Sequence, residues 1–88
     1  MSLSFYYGEE CQHCHVMLPL VDKLIAEGFV IEKFETWHNE DNAEQLIKAD
    51  RGLCGGVPFM INTDSHQFIC GATDEKTLRA WASGEKVD

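Results

Sequence analysis

The sequence predicts an α/β fold whose strands and helices follow one another in the order βαβαββα. A short aromatic or β-branched run is twice followed by a longer segment with apolar residues at helical spacing. Two further strand-like runs then surround a polar turn and precede a capped amphipathic segment. Strands joined by a helix run parallel and hairpin strands run antiparallel, so we expect a four-stranded mixed sheet with helices on both faces.

The first strand is predicted from Leu3 to Tyr7, and it ends at Gly8. A helix should follow and stop at Gly28, because apolar residues recur at helical spacing up to that point. Pro19 lies inside this helix, where it should kink or loosen the preceding turn while the helix continues. The predicted apolar positions are Val16, Leu20, Val21, Leu24 and Ile25.

The second strand is predicted from Phe29 to Thr36, where β-branched and aromatic residues are frequent. Asn39 or Asp41 should cap the helix after it, since both residue types accept hydrogen bonds from the first helical turn. Gly52 is expected to end that helix.

A hairpin and a helix complete the predicted fold. The hairpin strands span Pro58 to Ile61 and Gln67 to Cys70, which sets Pro58 opposite Cys70. Thr73 is predicted to cap the final helix. Its apolar face consists of Leu78, Trp81 and Ala82.

Composition narrows the class of protein. The 88 residues fit one domain, 1–88, with a modest core. Seven basic and fifteen acidic residues give a net charge of −8, which disfavours binding to nucleic acid or to an anionic membrane. No apolar run approaches the roughly 18 residues of a membrane span, and no signal-peptide pattern opens the chain. We therefore expect a cytoplasmic protein. The expected oligomeric state is a monomer.

Cys11 and Cys14 form a C-x-x-C motif at the start of the first predicted helix. A thiol there faces unpaired backbone N–H groups and the positive end of the helix dipole, which favour its thiolate. The second sulfur lies about one turn later, near enough to resolve a mixed disulfide formed on the first. The motif predicts a dithiol that exchanges with disulfides.

Together with Gly56-Val57-Pro58 before the third strand and Cys70-Gly71 before the last helix, this motif resembles the thioredoxin and glutaredoxin families. The resemblance covers most of the chain and implies a minimal thioredoxin fold of glutaredoxin size. It implies that Cys11 is the nucleophile and that Cys14 resolves the mixed disulfide. It also implies a cis Val57-Pro58 bond, with the backbone of Val57 facing the substrate.

His13 occupies a position at which protein disulfide isomerases and periplasmic disulfide oxidants carry histidine. By this resemblance it would stabilise the thiolate of Cys11 and make the couple more oxidising. Glu9 and Glu10 oppose the thiolate, each by less than about 1 kcal/mol because exposed charges are screened.

Several positions depart from the family patterns. Glutaredoxins carry a glutathione-binding lysine where this chain has Gly8, and thioredoxins carry tryptophan where it has Glu10. Gly71, Thr73 and Asp74 could still contact a glutathione molecule, the last two through backbone N–H groups. The expected partners are disulfide-containing proteins or glutathione as cosubstrate, with a reductase as electron donor. The choice between glutathione and thioredoxin reductase stays open.

Cys54 and Cys70 should both approach the dithiol. They could form a regulatory disulfide or complete a metal site, but inert free thiols are the favoured interpretation.

Two other functions fit the same motif. Cys11, Cys14 and His15 satisfy the C-x-x-C-H signature of c-type haem attachment, although this needs an exported and usually helical protein. A zinc or iron–sulfur site could use Cys11 and Cys14 with Cys54, Cys70 or His15, although the spacings match no finger pattern. The leading hypothesis is a thiol–disulfide oxidoreductase with no metal and no bound cofactor.

Overall fold

The computed structural model of the protein describes residues 3–86, and it has the predicted order of elements. The strands are β1 Leu3–Tyr7, β2 Ile31–Glu35, β3 Phe59–Asn62 and β4 Phe68–Cys70. The helices are α1 Gln12–Ala26, α2 Glu40–Asp50 and α3 Glu75–Ala82. The predicted α/β class is confirmed.

The four strands form one mixed sheet in the order β2-β1-β3-β4. β1 runs parallel to β2 and antiparallel to β3, and β3 runs antiparallel to β4, as expected for a helical crossover and a hairpin. The predicted register of the hairpin is wrong by one residue, because Cys70 lies opposite Phe59 and not Pro58. The residue that contacts Pro58 across the hairpin is Gly71, whose N–H donates a hydrogen bond to the carbonyl oxygen of Pro58 at 2.8 Å.

The main core lies between one face of the sheet and helices α1 and α3. Every second residue of β1 and β3 points into it, as the pleat requires. On α1 the buried side chains include Met17, Val21 and Leu24, whereas Val16 is 58% exposed, so its predicted core position is wrong. α1 continues past Pro19, as predicted. The other core residues are Leu3, Phe5, Ile31, Met60, Ile69, Leu78, Trp81 and Ala82.

The opposite face of the sheet carries aromatic side chains and is covered only in part by α2. Tyr6 stacks on Phe34 with 5.2 Å between ring centroids, and Phe59 packs against Phe68 at 5.9 Å. Asp50 is the only fully buried residue of α2. A cavity of about 450 Å³ remains between the C-terminal turn of α2 and strands β3 and β4. Helices therefore lie on both faces, but the second layer is loosely packed.

The structure shows which residues cap α2 and α3 at their N-termini. Asn39, and not Asp41, caps α2 by accepting a hydrogen bond from the N–H of Asn42 at 3.0 Å. Asp74 caps α3 in place of the predicted Thr73, because its carboxylate accepts from the N–H of Thr77 at 2.8 Å. Aspartate is the stronger cap of the two residue types.

None of the helices formed by residues 3–86 has the length and apolar character needed to span a bilayer.

Candidate functional site

Cys11 occupies the cap position at the start of α1. Its backbone is extended, and its sulfur accepts a hydrogen bond from the N–H of Cys14 at 3.3 Å. On the other side the thiol faces the carbonyl oxygen of Val57, with 3.9 Å between Sγ and O. The N–H of Cys11 donates to the carbonyl of Gly8 at 3.0 Å, which fixes the loop before the helix. The sulfur thus lies at the end of a helix and against the segment before β3.

Cys14 lies behind Cys11 and has no exposed surface, whereas Cys11 is 7% exposed. Both cysteines are free thiols in the structure. Burial, and then the hydrogen bond with Cys11, raises the pKa of Cys14 to about 12. Cys14 therefore holds its proton at neutral pH. Cys11 is the one sulfur of this pair that a second molecule can reach.

The segment Val57-Pro58 forms the wall opposite Cys11. The Val57-Pro58 peptide bond is cis, as the family resemblance implied. Pro58 is buried and Val57 is half-buried. Gly71 is close to this wall through its hydrogen bond to Pro58, and its φ of 91° is a conformation that favours glycine. The structure thus brings together five of the predicted site residues: Cys11, Cys14, Val57, Pro58 and Gly71.

His13 is exposed in the first turn of α1 and has no hydrogen bond or ion pair within residues 3–86. Its predicted effect on the thiolate of Cys11 stays a prediction. His15 is also exposed, and its Nε2 lies 2.5 Å from the carbonyl oxygen of Glu9.

Thr73 and Asp74, which the sequence offered as possible contacts for a glutathione carboxylate, lie at the start of α3. The N–H of Thr73 already donates to the sulfur of Met17 at 3.3 Å. The carboxylate of Asp74 caps the helix, and hydrogen bonds from Thr77 lower its pKa. A negative charge therefore already occupies this helix N-terminus, which disfavours a second carboxylate.

Glu35 is a residue of the site that sequence reasoning missed. Its carboxylate accepts hydrogen bonds from three backbone N–H groups: Glu9 at 2.9 Å, Trp37 at 3.1 Å and His38 at 2.8 Å. Desolvation opposes its ionisation, but these donors outweigh it and the pKa of Glu35 is lowered. Glu35 thus joins the loop before Cys11 to the loop after β2. No local sequence pattern signals a contact between residues 26 positions apart.

Trp37 packs against Gly8. The indole is 53% exposed, and one of its faces covers the glycine. A Cβ atom on residue 8 would lie only 2.3 Å from Cδ2 of Trp37. The structure therefore accounts for glycine at the position where glutaredoxins carry lysine. The glycine at this position, which departs from the family pattern, was the sequence signal that could have indicated a close contact at residue 8.

His38 and Glu10 form an ion pair next to Cys11, with 2.8 Å between Nε2 and the carboxylate oxygens. The hydrogen bond and the charge of Glu10 raise the pKa of His38. Both side chains are exposed, so the pair orders the surface of the loop more than it stabilises the fold.

Cys54 and Cys70 are joined by a disulfide with 5.4 Å between their Cα atoms. The predicted inert free thiols are therefore wrong. Asp50 holds the same loop, since its buried carboxylate accepts from the N–H groups of Cys54 at 2.6 Å and Gly55 at 2.7 Å. A disulfide was the less favoured alternative for these cysteines, because spacing along the chain does not show which cysteines meet.

In the part of the chain that the structure describes, the alternative ligands Cys54, Cys70 and His15 do not complete a metal site with Cys11 and Cys14. Within residues 3–86 no group of three or more His, Cys, Asp or Glu side chains is arranged to hold a metal ion. The sequence matches no family model and no curated protein. What the structure defines is a small α/β protein with a disulfide-capable cysteine pair, compatible with a thioredoxin-like fold.

Proposed function

We propose that the protein is a thioredoxin-fold thiol–disulfide oxidoreductase that reduces or exchanges disulfides through Cys11 and Cys14. The observation that carries this proposal is the arrangement of the two sulfurs. One lies at a helix N-terminus with a backbone N–H donating to it, and the other is buried behind it as a thiol. A reachable nucleophile backed by a protonated resolving thiol is what disulfide exchange needs.

The exchange takes two steps. The thiolate of Cys11 attacks one sulfur of the substrate disulfide, forms a mixed disulfide and releases the other substrate sulfur as a thiolate. Cys14 then attacks the sulfur of Cys11 and releases the second substrate sulfur, and the proton of Cys14 passes to that departing thiolate. The substrate gains two electrons, and Cys11 and Cys14 become a disulfide that an external reductant must reopen.

Protein disulfides are better substrates for this site than glutathione mixed disulfides. Glutathione is an anion, and the lysine that glutaredoxins use is replaced by Gly8, which Trp37 covers. At the start of α3 the N–H of Thr73 is engaged and Asp74 supplies a negative charge. The carbonyl of Val57, in contrast, faces Cys11 beside an open glycine-rich loop and can accept a hydrogen bond from an extended substrate chain.

Two matched substitutions, Cys11→Ser and Cys14→Ser, test the proposal. Reduction of a protein disulfide by dithiothreitol is followed with each purified variant. Cys11→Ser should lose all turnover, whereas Cys14→Ser should accumulate a mixed disulfide on Cys11 that intact mass spectrometry detects. Wild-type turnover in Cys11→Ser would overturn the proposal. Supplying electrons through glutathione in one assay and a thioredoxin reductase in another identifies the donor class.

The monomeric state, the cytoplasmic location and the identity of the reductase stay predictions.

A further inference from the structure

The disulfide between Cys54 and Cys70 lies beside the candidate site and takes no part in the proposed reaction. It closes a segment that contains Val57, the residue whose carbonyl faces Cys11. We propose that Cys54–Cys70 is a second thiol–disulfide site, reversibly reduced by dithiols, which controls the position of the Val57 wall. The redox part of this proposal, reversible reduction of Cys54–Cys70, stands alone. The control part, an effect of that reduction on Val57, rests on the proposed function of Cys11.

The second disulfide is open to attack. Cys70 is exposed at the end of β4, and Cys54 is half-buried in the loop after α2. Both are more exposed than Cys11, which keeps 7% of its surface exposed, and Cys14, which keeps none. Exchange requires a thiolate to reach a disulfide sulfur, and exposed disulfides are the labile ones. Cys70 is therefore the sulfur that an external thiol attacks first.

Other contacts also hold both cysteines near each other, so an opened bond can close again. Cys54 and Gly55 are held by the carboxylate of Asp50, which is itself buried. Cys70 belongs to β4, where it pairs with Phe59 of the central hairpin. Neither attachment depends on the disulfide.

The connection to the first site runs through two glycines. Gly55 and Gly56 separate Cys54 from Val57, both are exposed, and neither would bring a Cβ into contact with any neighbour. No side-chain packing therefore fixes this part of the loop. Its position depends on the disulfide and Asp50 at one end and on Pro58 at the other. Opening the disulfide removes one of these constraints and gives Val57 more freedom beside Cys11.

The chemical step is balanced with an external dithiol as reductant. One thiolate of the dithiol bonds to the sulfur of Cys70, and the Cys54–Cys70 bond breaks to release Cys54 as a thiolate, which takes up a proton. The second thiol of the dithiol then attacks the first, forms the oxidised reductant and releases Cys70, which is protonated in turn. Two electrons pass from the dithiol to the protein.

Differential alkylation of the folded wild-type protein tests the redox part. Trypsin cleaves after Lys23, Arg51 and Lys76, so Cys54 and Cys70 fall on the peptide 52–76 while Cys11 and Cys14 fall on the peptide 1–23. Across a series of dithiothreitol redox buffers, the peptide 52–76 should change from no free thiol to two and back again. A disulfide that opens only when urea unfolds the protein would overturn the proposal, and so would two free thiols in every buffer.

The variant Cys54→Ser/Cys70→Ser tests the control part, with the oxidised wild type as its reference. We expect the alkylation rate of Cys11 to change, and kcat/KM for a disulfide peptide to change by about 3- to 100-fold, because a shift of about 1 Å beside reacting atoms costs up to about 100-fold in rate. Unchanged kcat/KM and unchanged alkylation of Cys11 would overturn the control.

The outcomes also separate the two proposals. If the wild type shows no turnover at all, the proposed oxidoreductase function fails, while peptide mapping and the alkylation rate of Cys11 still decide the second site. If turnover depends on Cys11 but the second disulfide never opens in the folded protein, only the further inference fails.

Discussion

Replacing Gly8 by alanine should destabilise the protein, although the backbone at this position does not require glycine. Gly8 is not among the residues with positive φ, so alanine can adopt its conformation. The conflict is steric. The new Cβ would lie 2.3 Å, 2.4 Å and 2.7 Å from Cδ2, Cε2 and Cγ of Trp37. Carbon atoms pack at about 3.5 to 4.0 Å, so the indole must withdraw by about 1 Å or more.

Trp37 cannot withdraw easily. Its Cγ is the ring atom nearest the backbone, so rotation of the far end of the ring does not relieve that contact. The backbone is also held, because the N–H groups of Trp37 and His38 both donate to the carboxylate of Glu35. Overpacking of this kind costs about 1 to 3 kcal/mol. Because the carbonyl of Gly8 accepts from the N–H of Cys11, the displacement should also slow disulfide exchange.

A double-mutant cycle separates the clash from any other effect of the alanine. Urea unfolding, followed by far-UV circular dichroism, gives the free energy of unfolding of the wild type, Gly8→Ala, Trp37→Ala and the double variant. Without the indole, Gly8→Ala should be neutral or stabilising by about 0.4 to 1 kcal/mol, because alanine restricts the unfolded chain. The same cost in both backgrounds, or no cost in either, would refute the reasoning.

Two further predictions concern ionisation. A pKa of about 12 leaves Cys14 with about 1,000-fold less thiolate at pH 7 than an ordinary cysteine. Iodoacetamide should therefore label Cys11 and spare Cys14 in the reduced protein. Equal labelling of the two cysteines in tandem mass spectra would contradict this prediction. The raised pKa of His38 means that its pairing with Glu10 is fully present below about pH 6.5 and is lost as pH rises through the folded-state pKa. An NMR titration should show this pKa falling in Glu10→Gln and not in the control Glu44→Gln; no change in Glu10→Gln would contradict the assignment.

Local patterns in the sequence were enough to predict the order of the elements and the cysteine pair. The periodicity of α1, for example, identifies a helix because several apolar residues share one face. It does not fix which residue at the edge of that face is buried, and Met17 replaces the predicted Val16 in the core. A few degrees of helix rotation against the sheet decide between such neighbours.

The register of the hairpin and the long-range polar contacts could not be predicted from local sequence patterns either. Shifting the hairpin by one residue moves Cys70 from Pro58 to Phe59, and turn composition alone cannot distinguish the two pairings. Glu35 has no identifiable role until β1 and β2 are side by side, because its partner Glu9 belongs to the loop after the neighbouring strand. Tertiary structure creates these contacts.

Two carboxylates shape opposite sides of the candidate site by accepting backbone N–H groups. Glu35 holds the loop that leads into Cys11, and Asp50 holds the loop that leads into Val57. Neither is paired with a cation in the structure of residues 3–86, so their charges are balanced by peptide dipoles. In a protein with a net charge of −8, this use of acidic residues leaves the surroundings of Cys11 negative. We therefore predict that a protein substrate with basic residues near its disulfide is attracted to the site and that free anionic thiols such as glutathione are repelled.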